Sequence, residues 1–299
     1  MSDVGPVTDA ILVAENLHHS YEGGVVGLAG LSLTVSRGKR LAIVGANGAG
    51  KTTLLLNLNG TLRPRSGRIV INGAEGEYSR RGLTTWRQQV GIVFQNPDDQ
   101  LFAGTVAQDI SFGPLNLGLS EDEARERVAE ALAALDIVEL AERPTHQLSY
   151  GQKKRVAIAG SVAMRPQVLV LDEPTAGLDP SGAEHLIEVL ARLHAAGTTL
   201  IIATHDMSMV YDWADEVAVL RRGAIVAQGD PATVMSDEPM LRESGLRMPW
   251  VLEISLALRE IGLLSADAPL PRWRGELVDA LRSGSAAQGP AHVDARPLR

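Results

Sequence analysis

The chain has 299 residues, 45% of them apolar, carries a net charge of −8 at neutral pH and contains no cysteine. That length can bury one large α/β core with an attached module. The missing cysteines exclude disulfides, zinc ribbons and thiol chemistry and fit a reducing compartment, while the acidic balance argues against a nucleic-acid partner. From the N-terminus, residues 1–6 lack the basic-then-apolar order of a secretory signal, and no apolar run approaches membrane-spanning length. Any membrane role is therefore expected to come through partners.

Short apolar segments at 11–13, 31–35 and 41–44, split by Gly-rich turns, predict strands. His18 and His19 are adjacent on such a strand and would point to opposite faces, so they read as a solvated edge, not a metal pair. The strand Arg40–Val44 runs into Gly45, Ala46, Asn47, Gly48, Ala49, Gly50, Lys51 and Thr52, which fits GxxxxGK[ST], and Lys51–Leu58 reads as the start of a helix. Glycines let the backbone curl so that successive N–H groups converge on one anion, and the helix N-terminus adds its partial positive charge there. Lys51 is expected to bridge the β- and γ-phosphates of a nucleotide, Thr52 to hold Mg²⁺, and Thr53 to reach the α-phosphate.

Residues 68–72 and 89–94 predict two further strands, and from 105 to 164 the pattern turns helical. Ser120 and Glu123 form a capping box before a helix whose apolar positions Ala124, Val128, Ala131, Leu132 and Leu135 share one face. Leu148-Ser-Tyr-Gly-Gln152 supplies a second phosphate-gripping element, with Ser149 at a helix N-terminus. Strands and helices then alternate at 167–171, 181–195, 199–203, 207–214 and 217–220, which means βαβ units and a mostly parallel sheet.

The strand Val168–Leu171 is continuously apolar, as a strand buried on both faces must be, and it ends in Asp172 and Glu173. Ligands of open parallel sheets bind at the carboxyl ends of the strands, so both acids should project toward the phosphates. Asp172 would hold Mg²⁺ through a water, and Glu173 would orient and polarise the water that attacks the γ-phosphate. The strand at 199–203 leads to His205, expected to stand at its tip, next to the acid-bearing strand. Turn residues near 237–239 mark a boundary, 249–261 reads as an apolar helix, and 283–299 is Gly/Ser/Ala/Pro-rich and expected to be a disordered tail.

These motifs, in this order, resemble the ABC transporter ATPases across nearly all of residues 11–235. The resemblance implies an α/β fold: a P-loop NTPase (RecA-like) core with an antiparallel β subdomain, a helical insertion and a small helical C-terminal extension. It divides the chain into a cassette at 1–240, with its helical part at about 96–165, and an extension at 241–282. It also implies that Tyr21 stacks on adenine, that Gln95 links magnesium and the attacking water to a membrane partner, and that His205 senses the γ-phosphate. Ser149, Gly151 and Gln152 look like the signature loop that grips the γ-phosphate, and Asp179, in Gly177-Leu-Asp179, like the loop that crosses a dimer interface. The usual LSGGQ stands here as LSYGQ, so Tyr150 puts a side chain where glycine is common.

Within the superfamily, the segments 94–102, 112–117 and 151–159 resemble the energy-coupling factor (ECF) ATPases, which drive import of vitamins and transition metals. Residues 204–207 and 211–216 are most like their cobalt and nickel branch, with vitamin uptake as the alternative. The resemblance implies ATP and Mg²⁺ as cofactors and a homodimer or a heterodimer with a paralogous ATPase. It further implies a membrane scaffold subunit, a substrate-binding membrane subunit and peripheral attachment to the cytoplasmic face of the membrane. Leu101 and Phe102 look misplaced in a polar turn; they fit either the core of the helical insertion or the floor of a groove for a membrane partner's helix.

Overall fold

Strand geometry explains the layout of this computed structural model, which describes residues 9–287. In chain order, β1 (Ala10–Ser20) and β2 (Val26–Ser36) form a long hairpin that leads into β3 (Arg40–Val44) and α1 (Lys51–Leu58). Then come β4 (Ser66–Ile71), β5 (Ala74–Glu75), α2 (Arg80–Gln89) and β6 (Val90–Val93). The helical insertion is α3 (Val106–Asn116), α4 (Glu121–Ala134) and α5 (Tyr150–Val162). After it, β7 (Val168–Asp172), α6 (Pro180–Ala195), β8 (Thr199–Thr204), α7 (Met207–Trp213) and β9 (Glu216–Arg221) alternate, and β10 (Ala224–Gly229) follows. Four helices close the described chain: α8 (Pro231–Met235), α9 (Glu238–Glu243), α10 (Trp250–Glu260) and α11 (Arg274–Ala287).

One sheet has the order β2-β1-β4-β5 and is antiparallel; the other has the order β10-β9-β3-β8-β7-β6 and is parallel except for β10. Side chains alternate faces along a strand, and here both faces are covered. Ala42, Val44, Leu169, Leu171, Leu200 and Ile202 belong to one core cluster, together with residues of the helical insertion, α6 and α7. Leu41, Ile43, Val168, Val170, Ile201 and Ala203 belong to a second cluster, shared with α1 and the antiparallel sheet. This two-sided burial is why β7 and β8 read as unbroken apolar runs.

Local signals account for many of the ends. Ser120 caps α4: its Oγ accepts from the Glu123 amide, and Glu123 Oε2 accepts from the Ser120 amide in return. The five apolar positions of that helix face are all buried. Asp230 and Asp237 cap α8 and α9 through their side chains.

Three features differ from the sequence reading. His19 is not on a solvated edge: it is 8% exposed, its Nδ1 lies 3.2 Å from the Arg63 carbonyl, and its ring meets Tyr21 edge-on at 5.0 Å. His18 is the exposed member of the pair, as strand alternation requires. Packing does not break near residue 240, because Leu241, Leu246, Val251, Leu252 and Leu277 join the core cluster of the parallel sheet. Helix α11 runs to Ala287, into the stretch expected to be a disordered tail, whose remainder at 288–299 lies outside the described residues.

Helix α2 is missing from the sequence reading because most of its residues are polar and its single buried side chain, Trp86, shows no period. Trp86 is 3% exposed, donates its Nε1–H to the Leu58 carbonyl at 2.9 Å and packs edge-on against Tyr78, so it staples α2 to the end of α1. Replacing a buried tryptophan by alanine leaves a cavity worth about 3–5 kcal/mol. Trp86→Ala should therefore lower the thermal midpoint by several degrees; an unchanged melt would show that α2 is not held by this contact.

Candidate nucleotide-binding site

The parallel register brings three loops to one edge. Val44 pairs with Thr204, and Asp172 pairs with Ala203, so the chain leaves β3, β7 and β8 at nearly the same level. The resulting cavity, about 390 Å³, is lined by Tyr21, Val25, Val26, Gly27, Ala46, Asn47, Gly48, Gly50, Lys51, Thr52, Thr53, Gln95, Asp172, Glu173 and His205.

Close approach decides the glycines of the loop. A β-carbon at Gly45 would stand 2.4 Å from the Leu220 carbonyl oxygen, and one at Gly50 would stand 2.4 Å from the Gly27 carbonyl oxygen. Gly50 also caps α1 at φ 110, in the left-handed region where side chains are strained. Gly45 and Ala49 belong to the loop without lining the cavity.

Lys51 is 8% exposed, donates to the Gly45 carbonyl at 2.8 Å and has Glu173 Oε1 at 3.8 Å. Thr52 donates its hydroxyl to Asp172 Oδ2 at 2.6 Å. Burial pushes the Asp172 carboxyl above the usual carboxylate range, helped by Glu173 and opposed by the Thr52 hydroxyl and the ammonium groups of Lys51 and Lys154. Thr52, Asp172 and the exposed Gln95 offer only oxygen donors and one amide, the set a hard cation prefers. Among the described residues no group of three or more His, Cys, Asp or Glu could hold a metal. An ion at this place would thus complete its shell from waters and phosphate oxygens, as magnesium does.

Glu173 is held through its side chain and its backbone. It is 7% exposed, Thr204 Oγ1 donates to its Oε2 at 3.0 Å, and His205 Nδ1 lies 2.8 Å from its Oε1. Its backbone sits at φ 43, a left-handed conformation that costs a non-glycine residue about 1–3 kcal/mol and persists only where surroundings enforce it. Its amide donates to the Ala203 carbonyl at 2.8 Å, and its own carbonyl accepts from Ala176 N at 3.1 Å and from Lys154 Nζ at 3.0 Å. Lys154 is 0% exposed, and burial lowers its ammonium to about 8 against the pull of Asp172 and Glu173. Thr204 and Lys154 both escaped the sequence reading. A threonine ending an apolar strand carries no motif, and Lys154 sits beside an equally plain Lys153.

The signature segment stands apart. Ser149, Gly151, Gln152 and Asp179 do not line the cavity. Ser149 Oγ accepts from the Gln152 amide at 3.3 Å and Gln152 Oε1 accepts from the Ser149 amide at 3.0 Å, so the two cap α5. Asp179 caps α6 by accepting from Gly182 N at 2.7 Å. A carboxylate offers acceptors only, so Asp179 suits contact with donor groups of another loop and not with a phosphate. Tyr150, 37% exposed, donates to the Gln95 carbonyl at 3.3 Å, and its ring lies against Gly177, where a β-carbon would stand 2.8 Å from it. Tyr21, 39% exposed on the other wall, is hydrogen-bonded to Thr53 Oγ1 at 2.9 Å beside the exposed Val25 and Val26.

A phosphate loop, a paired acid at the end of a buried strand and a separate signature helix define an ATP-binding cassette. The family model "ABC transporter" matches residues 28–176, and the chain belongs to the ABC transporter ATPases, the ATP-hydrolysing subunits of transporters, and among them to the energy-coupling factor type. It is 56% identical to the cobalt import ATP-binding protein CbiO of Rhodobacter capsulatus over 89% of this chain and 95% of that protein. It is 47% identical to the energy-coupling factor transporter ATP-binding protein EcfA of Methanothermobacter thermautotrophicus over 83% of this chain and 79% of that one. The structure of CbiO1 from Clostridium perfringens, part of the ABC transporter complex CbiONQ, is 46% identical and superposes with a TM-score of 0.71 over 82% of this chain and 98% of that one. The cassette MJ0796, a dimer bound to ADP and Pi in a post-hydrolysis state, is 25% identical with a TM-score of 0.67 over 74% of this chain and 98% of that one.

The Gly50–Gly27 approach yields a direct test. Gly50→Ala must distort the loop at a strain of about 1–3 kcal/mol, which corresponds to roughly a ten- to hundredfold loss of affinity. Titration with a fluorescent ATP analogue should show that loss with the far-UV circular dichroism unchanged; wild-type affinity would mean the loop adapts.

Proposed function

We propose that this chain binds ATP with Mg²⁺ in the cavity and hydrolyses it to drive an importer of cobalt or nickel ions, attached to the cytoplasmic face of the membrane through partner subunits. The observation that carries the reading is the convergence of Lys51, Thr52, Asp172, Glu173 and His205 on one cavity. The loop amides and Lys51 hold the β- and γ-phosphates, and Thr53 meets the α-phosphate. Tyr21 offers its ring to the adenine, flanked by Val25 and Val26. When bound, Mg²⁺ neutralises phosphate charge next to the Thr52 hydroxyl, the Asp172 carboxylate and the Gln95 amide. Glu173, aimed by Thr204 and His205, accepts a hydrogen bond from the attacking water and polarises it, while His205 contacts the γ-phosphate side of the reaction.

Ser149, Gly151 and Gln152 sit outside the chain's own cavity, which supports a two-fold pairing in which each signature loop serves the other subunit's nucleotide. The ion specificity is supported by the 56% identity to a protein named for cobalt import. No helix among the described residues is long and apolar enough to cross a membrane, so attachment needs a docking surface. A groove of about 650 Å³ offers one, with Phe94, Gln100, Phe102, Phe112 and Arg87 in its walls. Leu101 packs against the core, whereas Phe102 is 65% exposed and meets Phe112 edge-on at 4.7 Å, so the two apolar residues of the polar turn divide between the two roles open to them. Gln95 follows Phe94 directly and lines the nucleotide cavity, which connects groove and site.

Glu173→Gln keeps the shape and removes the charge. ATP hydrolysis should fall by about two orders of magnitude or more, the scale of a lost base, while ATP binding persists and an ATP-bound dimer accumulates. Near-normal turnover would sink the assignment. Phe102→Asp should leave ATP hydrolysis by the isolated chain and its melting temperature close to wild type while complex formation with the membrane subunits and ion uptake are lost. Normal uptake would remove Phe102 from the docking surface.

A further inference from the structure

We infer that Lys154 is a positioning residue for Glu173: from inside α5 its ammonium holds the Glu173 carbonyl oxygen, and with it the left-handed turn that aims the Glu173 carboxylate. The inference rests on the proposed role of Glu173 and adds to it a link from the signature helix to the chain's own reaction centre.

The geometry is specific. A lysine can donate three hydrogen bonds, and this one, 0% exposed, donates at 3.0 Å to the carbonyl of the residue whose φ is 43. The side-chain carboxylate of Glu173 is held by Thr204 and His205, and its amide by Ala203. Its carbonyl is the remaining handle, shared between Ala176 in the same turn and Lys154 from another element. Without Lys154, the Glu173 carbonyl would be held only by the Ala176 amide of its own turn, and the backbone that presents the carboxylate to Thr204 and His205 would loosen.

A buried cation is costly unless charge and hydrogen bonds compensate, so an apolar side chain would suit a helix core better if packing were the only demand. Asp172 and Glu173 supply the charge, and the Glu173 carbonyl supplies the hydrogen bond. Tyr150 closes the outer side, with the Lys154 ammonium 5.8 Å from its ring centre. The same Tyr150 reaches the Gln95 carbonyl and covers Gly177. The segment that begins with Ser149 and faces a neighbouring subunit's nucleotide is thereby wired to the carboxylate that works on this subunit's nucleotide. Any tilt of α5 when Ser149 engages an anion is transmitted to the Glu173 backbone through one side chain.

The test compares Lys154→Met, Lys154→Leu, Lys154→Gln and Glu173→Gln in the full chain, with steady-state ATP hydrolysis and hydrogen exchange of the peptide spanning 172–178 in the absence of nucleotide. Lys154→Met and Lys154→Leu should lower kcat at least tenfold with KM for ATP changed less than threefold, and should speed exchange of that peptide. Lys154→Gln retains an N–H donor and should stay within threefold of wild-type kcat with wild-type exchange. A wild-type kcat in a folded apolar variant overturns the inference, as does a Lys154→Gln that is as slow as Lys154→Met. Failure of both apolar variants to fold would make Lys154 a structural residue and overturn it as well. If Glu173→Gln itself hydrolyses ATP normally, the reading of Glu173 fails; if Glu173→Gln is inactive and Lys154→Met is not, only the present inference fails.

Discussion

The site depends on the parallel register of β3, β8 and β7. Val44 stands beside Thr204 and Asp172 beside Ala203, so the phosphate loop, the acid pair and His205 leave the sheet together. A slip of one residue would move a loop by about 3.3 Å and turn every core side chain to the opposite face. That slip is blocked on both sides, since Leu41 and Ile43 are packed in one cluster and Ala42 and Val44 in the other. The separation of Lys51 from Glu173 is therefore set by apolar packing far from either head group. Charge then acts on a geometry it did not have to build.

That charge is unusual in its burial. Lys51, Lys154, Asp172 and Glu173 are 8%, 0%, 5% and 7% exposed, two cations against two anions. Such groups hold one another: taking one away leaves a partner uncompensated in a poorly solvated place. Burial drives Asp172 up and Lys154 down to about 8, each toward its neutral form, while the opposite charges resist. No side chain caps the start of α1, and a helix N-terminus carries a partial positive charge, here beside the cavity lined by Gly50, Lys51 and Thr52. On the proposed reading, a phosphate group entering there would compete with the Gly45 carbonyl for the Lys51 ammonium.

How much of this was legible in the amino-acid order depends on whether the signal is local. The loop Gly45–Thr52 is contiguous and demands glycine for steric reasons that the close approaches of Gly45 and Gly50 make concrete. The strands β7 and β8 declare themselves because two-sided burial leaves their interiors, 168–171 and 200–203, without a polar position. The order of β3 beside β8, and not beside β7, has no local cue; it follows from how the crossovers pack. Thr204 and Lys154 matter through partners 31 and 19 residues away, a separation that no spacing rule describes. His19 was misread because strand alternation says only that the two histidines differ, while the Arg63 carbonyl and Tyr21 decide which one is covered. Helix α2 gives no periodic signal, since Trp86 is its one buried side chain.

The signature residues raise a last question of compatibility, because Ser149 and Gln152 already satisfy each other as the cap of α5. A serine hydroxyl has two acceptor lone pairs and one donor hydrogen. Capping the helix uses a lone pair of Ser149 to accept from the Gln152 amide and leaves the hydrogen free. The same oxygen can therefore anchor the helix and donate to an anion, and the macrodipole of α5 favours that anion at the same end. Gln152 likewise accepts through Oε1 and keeps its amide hydrogens. Helix formation and anion binding thus draw on different valences of the same two side chains. The segment can stand preorganised in a single chain, and Tyr150, whose side chain turns back toward Gln95 and Gly177 within its own subunit, leaves that surface open.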